Sequence, residues 1–416
     1  MTANHAAALL LGAVLLGATS FAHSGSFTIE QALSAPFASD IVAAPSGRAF
    51  AWASDARGRR NVWLAVARSG EARFDSRPLT HYAADDGLQI ADIAFIPKRE
   101  ELLYVLGGDP EFPDKPAPDP AQLTTEVIEQ VYLVDFHGHA PVRLGDGHAP
   151  LASPDGEQVL FLHKGKVFVV APHQGAKAEQ LFYVRGMVDS LRFAPDGKQL
   201  AFVCTRGDHS FVGVYRFSDR SLHWLDASFS FDVEPRWSPD GTRIAFLRIP
   251  WTHDEVGLIP HRTGLPWSIR VASLADGHVT EIYRAPGGAG SVFHGLSSDQ
   301  QLIWSGNDQV VFPAENDGWL HFYSVGANGG PAKLLTPGSF EIEYASASVD
   351  GNHIVYAANA GDIGRRHLWR LDPAESHVEE LSEGTGIETQ PALLADGTTI
   401  AFLRSDARIT AHAALL

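Results

Sequence analysis

Short apolar runs of three to five residues, each preceded by a polar turn, recur down the chain at a spacing that no amphipathic helix produces. Ser153-Pro154-Asp155-Gly156 precedes Val159-Leu160-Phe161-Leu162, and Ala194-Pro195-Asp196-Gly197 precedes Leu200-Ala201-Phe202-Val203. Ser238-Pro239-Asp240-Gly241 leads into Ile244-Ala245-Phe246-Leu247, Ser348-Val349-Asp350-Gly351 into Ile354-Val355-Tyr356, and Leu394-Ala395-Asp396-Gly397 into Ile400-Ala401-Phe402-Leu403. Degenerate copies stand at Ala44-Pro45-Ser46-Gly47, Ile96-Pro97-Lys98-Arg99 and Ser297-Ser298-Asp299-Gln300, which makes eight units. The residue types have a mechanical reason. Proline presets φ at the first central position of the turn, aspartate bonds back to the turn backbone, and glycine takes the positive φ that closes a hairpin.

The turn glycines Gly156, Gly197 and Gly241 lie 41 and 44 residues apart, and Gly351 and Gly397 lie 46 apart. Each unit has room for two further strands. A third is seen in Val131-Tyr132-Leu133-Val134-Asp135, Ile269-Arg270-Val271-Ala272 and His367-Leu368-Trp369-Arg370-Leu371, and a fourth ends in phrases such as Arg77-Pro78-Leu79-Thr80 or Lys333-Leu334-Leu335-Thr336. A period of about 40 to 50 residues with four short strands per repeat is that of a propeller blade. The prediction is an all-β β-propeller from about residue 33 to the end, with eight blades, seven being the alternative. The sequence ends just after the eighth hairpin, so the last blade is expected to be incomplete, stopping where its third strand would form.

Two units are over-long. Residues 107–120 contain five prolines and four acidic residues, the composition of a solvated, extended excursion. Residues 250–266 are richer in recognition chemistry, and loops on a rigid scaffold are where binding groups usually sit. Arg248, Trp251, His253, Glu255 and Arg262 are therefore the candidate substrate-channel contacts. The alternative for the same residues is a surface loop packed on its neighbours.

The charge balance of 32 Lys+Arg against 49 Asp+Glu, net −17, argues against nucleic acid or an anionic membrane as the partner. Residues 1–22 have no acidic residue, an apolar run from Ala6 to Gly17, and Ser20-Phe21-Ala22 as a small-x-small cleavage site. A signal peptide at 1–22, a propeller over 23–416 and a periplasmic or secreted location are expected, with no membrane contact beyond the export signal. The single cysteine, Cys204, lies in an apolar strand and is expected to be a buried structural thiol.

Other chemistry reads weakly. His137-Gly138-His139, with His148 downstream, is the densest histidine group, but a turn between two strands explains the pair, so no metal and no cofactor are expected. Gly287-Gly288-Ala289-Gly290 is not followed by Lys and Ser/Thr opening a helix, and reads as a blade connection, not a phosphate loop. Trp52, Trp63, Trp237 and Trp304 sit at repeat positions that suit the core between blades.

Four phrases carry a resemblance. They are Phe27-Thr28-Ile29-Glu30-Gln31-Ala32-Leu33, Val233-Glu234-Pro235-Arg236-Trp237-Ser238-Pro239-Asp240-Gly241, Glu315-Asn316-Asp317-Gly318-Trp319-Leu320-His321-Phe322-Tyr323 and Gly361-Asp362-Ile363-Gly364-Arg365-Arg366-His367-Leu368-Trp369. Together they resemble the propeller half of prolyl-oligopeptidase-type serine peptidases, in the branch of exported bacterial dipeptidyl and acylaminoacyl peptidases. The resemblance implies a propeller that gates and orients peptides before an α/β-hydrolase domain bearing Ser, Asp and His. No Gly-x-Ser-x-Gly elbow occurs in the 416 residues, the nearest approach being Gly295-Leu296-Ser297-Ser298-Asp299. No catalytic residue is therefore assigned. The expectation is a chain truncated before the hydrolase domain and inactive alone, with peptides or a hydrolase domain or subunit as partners. The alternative is a stand-alone TolB-like periplasmic scaffold that binds a protein. The Glu-Glu pair with which the dipeptidyl branch holds a free amino terminus is not carried over to Glu100-Glu101 or Glu379-Glu380, which read as edge residues.

Overall fold

The structure, a computed structural model, describes residues 28–416 other than 69–72, 110–111, 116–123 and 252–260. The expected signal peptide lies outside the described residues. Contacts divide the chain into two units, 1–35 and 36–416. In the first, Thr28 caps the short helix Ile29–Leu33 through a reciprocal capping box with Gln31. No helix among the described residues is long and apolar enough to cross a membrane.

The second unit is a propeller of eight antiparallel blades, at 37–78, 90–146, 148–180, 187–225, 231–284, 303–334, 342–380 and 387–415. Seven blades have four strands and the eighth has three. Inner strands touch the inner strands of neighbouring blades and ring the axis. Second strands are almost wholly buried: Leu102, Val159, Leu200, Phe246, Phe312 and Tyr356 are all inaccessible to solvent. The core is therefore a series of clusters, each spanning two neighbouring blades. In one of them Trp267 and Tyr283 of blade 5 pack on Phe312 of blade 6, with Trp304 in the same cluster. Of the four repeat-position tryptophans, Trp52, Trp237 and Trp304 are buried and Trp63 packs on the cluster between blades 8 and 1. Cys204 is buried too, its Sγ 3.3 Å from the Arg185 carbonyl.

The turns form as the sequence demands. Gly156, Gly197, Gly241, Gly351 and Gly397 donate to the carbonyl three residues back at 2.9 Å with φ between 67° and 80°. Their aspartates accept the N–H two residues on, for example Thr242 at 3.0 Å from Asp240. The Leu-Thr phrases close the blades. The hydroxyls of Thr80, Thr336 and Ser382 accept the third-strand N–H groups of Val62, Phe322 and Leu368 at 2.8–2.9 Å.

One degenerate turn lies elsewhere than expected. In blade 6 the hairpin turns at Ser305-Gly306-Asn307-Asp308, where Asp308 stands at φ 59° in the glycine's role and donates its N–H to the Ser305 carbonyl at 3.1 Å. Ser297-Ser298-Asp299-Gln300 instead belongs to a loop closed by Gln301, whose amide bonds Leu296 and Ser298, and it lies along the inner strand of blade 7 through Ser297 N–H to Glu343 O at 2.7 Å.

Among the described residues the ring closes by packing, with no strand exchanged between blades 8 and 1. The inner strands of blades 1 and 8 are in contact, and Ile41, Phe50 and Trp52 share a cluster with Leu394, Ala401 and Leu403. Ala38 N–H donates to Ala411 O at 2.8 Å, and Arg48 pairs with Asp396 at 3.0 Å. The third strand of blade 8 does form, at His412–Leu415, pairing with Ile400–Ser405. A cleft of about 520 Å³ lined by Phe37, Trp52, Trp63, Phe74 and Leu415 lies beside it.

Candidate functional site

The inner strands are not regular. Blades 1, 2, 4, 5 and 8 each carry a β-bulge at the same point, between Ser39 and Val42, Ala91 and Ala94, Asp189 and Arg192, Val233 and Arg236, and Thr389 and Ala392, and blade 3 has one between His148 and Leu151 with Ala149 at φ 49°. A bulge sets two residues against one and bends the strand, and its first residue here is left-handed: Asp40, Asp92, Ser190, Glu234 and Gln390 have φ of 49–55°. Because blade inner strands surround the axis, the bulges bring polar side chains to the central channel. Asp40, Asp92, Asp299 and Gln390 line its cavity of about 1050 Å³, which opens among the Pro-Asp-Gly turns.

The channel's electrostatics follow from confinement. Burial raises the Asp40 pKa, and the charges of Asp92 and Asp299 add to the effect. Burial likewise raises Glu234, where Arg192 works against it and Asp299 and Asp189 with it. Arg236 is desolvated and repelled by Arg192, which brings its pKa down to about 10. Five carboxylates, Asp40, Asp92, Asp299, Asp350 and Asp396, line the cavity. The interior favours cationic groups, and burial holds Asp40, Asp189 and Glu234 reluctantly charged.

In each blade the link between second and third strands lies on the face opposite the Pro-Asp-Gly turns, so both long excursions, 107–129 and 250–267, emerge together on that second face. Of the candidate contacts, His253 and Glu255 lie outside the described residues, and Trp251 is half-buried at the start of the excursion. Arg248 is committed to the scaffold: it grips the fully buried Asp232 through Nε and Nη2 at 2.6 and 2.8 Å and reaches Asp226 at 2.8 Å. Burial raises the Asp232 pKa even against that guanidinium. Blade 8 repeats the arrangement, with Arg404 facing the fully buried Glu388 at 3.8 Å. Arg262 is the exposed member, 59% accessible, and pairs with Glu315 at 3.2 Å. Glu315 is almost fully buried and also bonds His294 at 2.6 Å.

The phrases that carry the resemblance do local work. In Glu315-Asn316-Asp317-Gly318-Trp319, Glu315 joins His294 and Arg262, Asn316 bonds the Tyr283 hydroxyl at 3.1 Å, and Asp317 accepts the Trp319 N–H at 3.2 Å. In Arg365-Arg366-His367-Leu368-Trp369, Arg365 bonds the Thr385 carbonyl at 2.9 Å, Arg366 pairs with Glu343, and His367 bonds Glu388 at 2.7 Å. Each phrase ties one blade to the next on this face. The channel carboxylates and the Glu315–His294 contact were not found in the sequence. The bulge position is Asp, Asp, Ala, Ser, Glu and Gln in six blades, so only the strand alternation could have marked it, and a bulge breaks that alternation.

Residues 293–408 match the family described as the dipeptidyl peptidase IV N-terminal region. No curated protein sequence matches the chain. Among solved structures, dipeptidyl peptidase 4 of Porphyromonas gingivalis superposes with a TM-score of 0.60 at 14% identity, covering 90% of this chain and 57% of that one. A puromycin-hydrolyzing peptidase of Mycobacterium tuberculosis gives 0.55 at 16% identity, covering 80% and 52%. The chain thus spans little more than half the length of these structures. The superpositions show a β-propeller fold, and over residues 293–408 the chain is similar to the dipeptidyl peptidase IV N-terminal region, as the resemblance read from the sequence implies.

Proposed function

We propose that the chain is the peptide-gating propeller of an exported prolyl-oligopeptidase-type serine peptidase, acting with a hydrolase domain or subunit that carries the nucleophile. The observation that supports this reading most is the family match over 293–408, in which both blade-tying phrases fall. The sequence contains no Gly-x-Ser-x-Gly elbow, so the role left to these residues is to admit and orient substrate. An axial channel of about 1050 Å³ excludes folded proteins on size. Its excess of carboxylates suits extended peptides with a free amino terminus or basic side chains. Arg262 on the opposite rim, backed by Glu315, can meet a peptide carbonyl or carboxylate.

The test is to assay the purified chain on chromogenic aminoacyl and dipeptidyl substrates, alone and mixed with a separately produced hydrolase domain of this family. No turnover alone is expected, and turnover that prefers short cationic peptides is expected in the mixture. Turnover by the chain alone that an active-serine reagent abolishes would refute the proposal.

A further inference from the structure

The proline-rich excursion, expected to be merely solvated, reaches back to the blades at Asp114. Asp114 directs its carboxylate at the junction of blades 2 and 3, where Oδ1 accepts the Lys164 N–H at 2.9 Å and Oδ2 the Gly165 N–H at 3.1 Å. His148, the first residue of blade 3, brings Nε2 to 3.2 Å from the same Oδ2. Glu129, just before the third strand of blade 2, accepts the Asp114 N–H at 3.0 Å. One donor atom from each of the three side chains falls within 4.8 Å of the others, and all three residues are half-buried. The space for the Glu129 carboxylate exists because residue 108 is glycine: a Cβ there would sit 2.7 Å from Glu129 Oε1. Asp92 adds a further negative charge close to Glu129.

We infer that Asp114, Glu129 and His148 form a binding site for one divalent transition-metal ion, zinc by preference, which fastens the 107–129 excursion to blades 2 and 3. The donor set argues for the ion class. Two carboxylate oxygens and an imidazole nitrogen suit zinc, whereas calcium and magnesium take oxygen donors alone. Zinc bonds of about 2.0–2.2 Å place ligand atoms about 3.3–3.6 Å apart, so the His148–Asp114 separation already fits and the Glu129 carboxylate closes in by rotation of its side chain. The Asp114 oxygens keep lone pairs free after accepting two backbone N–H groups. Three protein donors leave a fourth position for water. The ion replaces the His148–Asp114 hydrogen bond, and His148 binds through its unprotonated Nε2.

The experiment is calorimetric titration of the chelator-treated full chain with zinc chloride, with the cobalt(II) absorption spectrum reporting an N/O donor set. One ion per chain is expected, with micromolar or tighter affinity and a rise in the thermal midpoint of about 3–5 °C at a hundredfold excess over Kd. His148→Gln and Glu129→Gln should each weaken binding about tenfold or more and cut the thermal shift at the same zinc concentration to about half or less, while leaving the zinc-free midpoint near that of the parent. Asp114 is left in place because it also holds the Lys164-Gly165 turn. Absence of saturable zinc binding, binding equally tight in both variants, or saturation by calcium but not by zinc would each overturn the inference.

Discussion

Asp396 accepts the N–H groups of Thr398 and Thr399 at 3.0 and 2.8 Å and pairs with Arg48 across the seam between blades 8 and 1. Burial works against its ionisation, but the Thr399 and Thr398 contacts and Arg48 outweigh it and hold its pKa at about 2, below the ordinary 3.8. A depressed carboxyl contributes stability that is fully present above the unfolded-state value and is lost as pH falls through the folded one. Asp155, Asp240 and Asp350 are depressed too, chiefly by the serine hydroxyl two residues back. Asp40, Asp189 and Glu234 in the channel are raised by burial, so protonating them favours the fold and offsets part of that acid loss. Asp396→Ala should cost about 1–2 kcal/mol at pH 7. Urea unfolding between pH 5 and pH 2 should show a shallower loss of stability in the variant than in the parent, and parallel curves would contradict the argument. Arg248 makes a different prediction. Arg248→Met leaves Asp232 buried and unpaired, at a cost of about 3–5 kcal/mol, whereas Arg248→Met with Asp232→Leu should recover most of it. A substrate contact in Arg248, as the sequence suggested, would instead show as weaker peptide binding with stability unchanged.

At the scale of elements, most of the fold was legible because turn chemistry is local. Pro, Asp and Gly act within four residues, and five turns and their strands stand where the pattern placed them. Blade 6 escaped because Asp308 adopts the glycine's conformation, an option open to Asp at modest cost, while Ser297-Ser298-Asp299-Gln300 resembles a turn in composition but is held by the adjacent Gln301 and, from a distance, by Glu343. The site was less legible for the same reason. Arg248 meets its partners 16 and 22 residues away, and the channel carboxylates converge only when the ring is formed. Where adjacent blades meet, some glycines are fixed by packing and not by a turn. Gly147 links blades 2 and 3 at φ 146°, and a Cβ there would lie 2.1 Å from the Leu162 carbonyl oxygen. Since that oxygen belongs to a buried strand and cannot yield, Gly147→Ala should destabilise the protein by more than about 2 kcal/mol. Gly175→Ala, whose Cβ meets nothing within 4 Å but whose φ is 81°, should cost only about 1 kcal/mol. Equal midpoints in denaturant for the two variants would show that clash is not the deciding effect.

For the whole molecule, the ring makes the seam between blades 8 and 1 its distinctive interface. Blades couple to their nearest neighbours, so stability is close to a sum of blade terms and interface terms, and an opening propagates from the weakest interface. The seam has a shared cluster, one backbone bond from Ala38 to Ala411 and the Arg48–Asp396 pair, and among the described residues no strand crosses it or covers the outer edge of His412–Leu415. Ile400 and Leu416 bond one another in both directions, so Ala413 and Leu415 direct their N–H groups outward, away from the second strand of blade 8. These two amides should therefore exchange fast in the native protein, while those of the fully inaccessible Leu200 and Phe202 in blade 4 report only global opening. Leu403, 5% exposed, faces blade 1 from blade 8, and Leu403→Ala should remove about 2–5 kcal/mol from that interface. Hydrogen exchange read by mass spectrometry should then show protection falling in peptides from 387–405 and 37–56, with 199–216 kept at the slower rate as long as opening at the seam precedes global unfolding. A uniform loss over all three peptides would mean that the ring opens as one cooperative unit and that the seam is no weaker than its other interfaces.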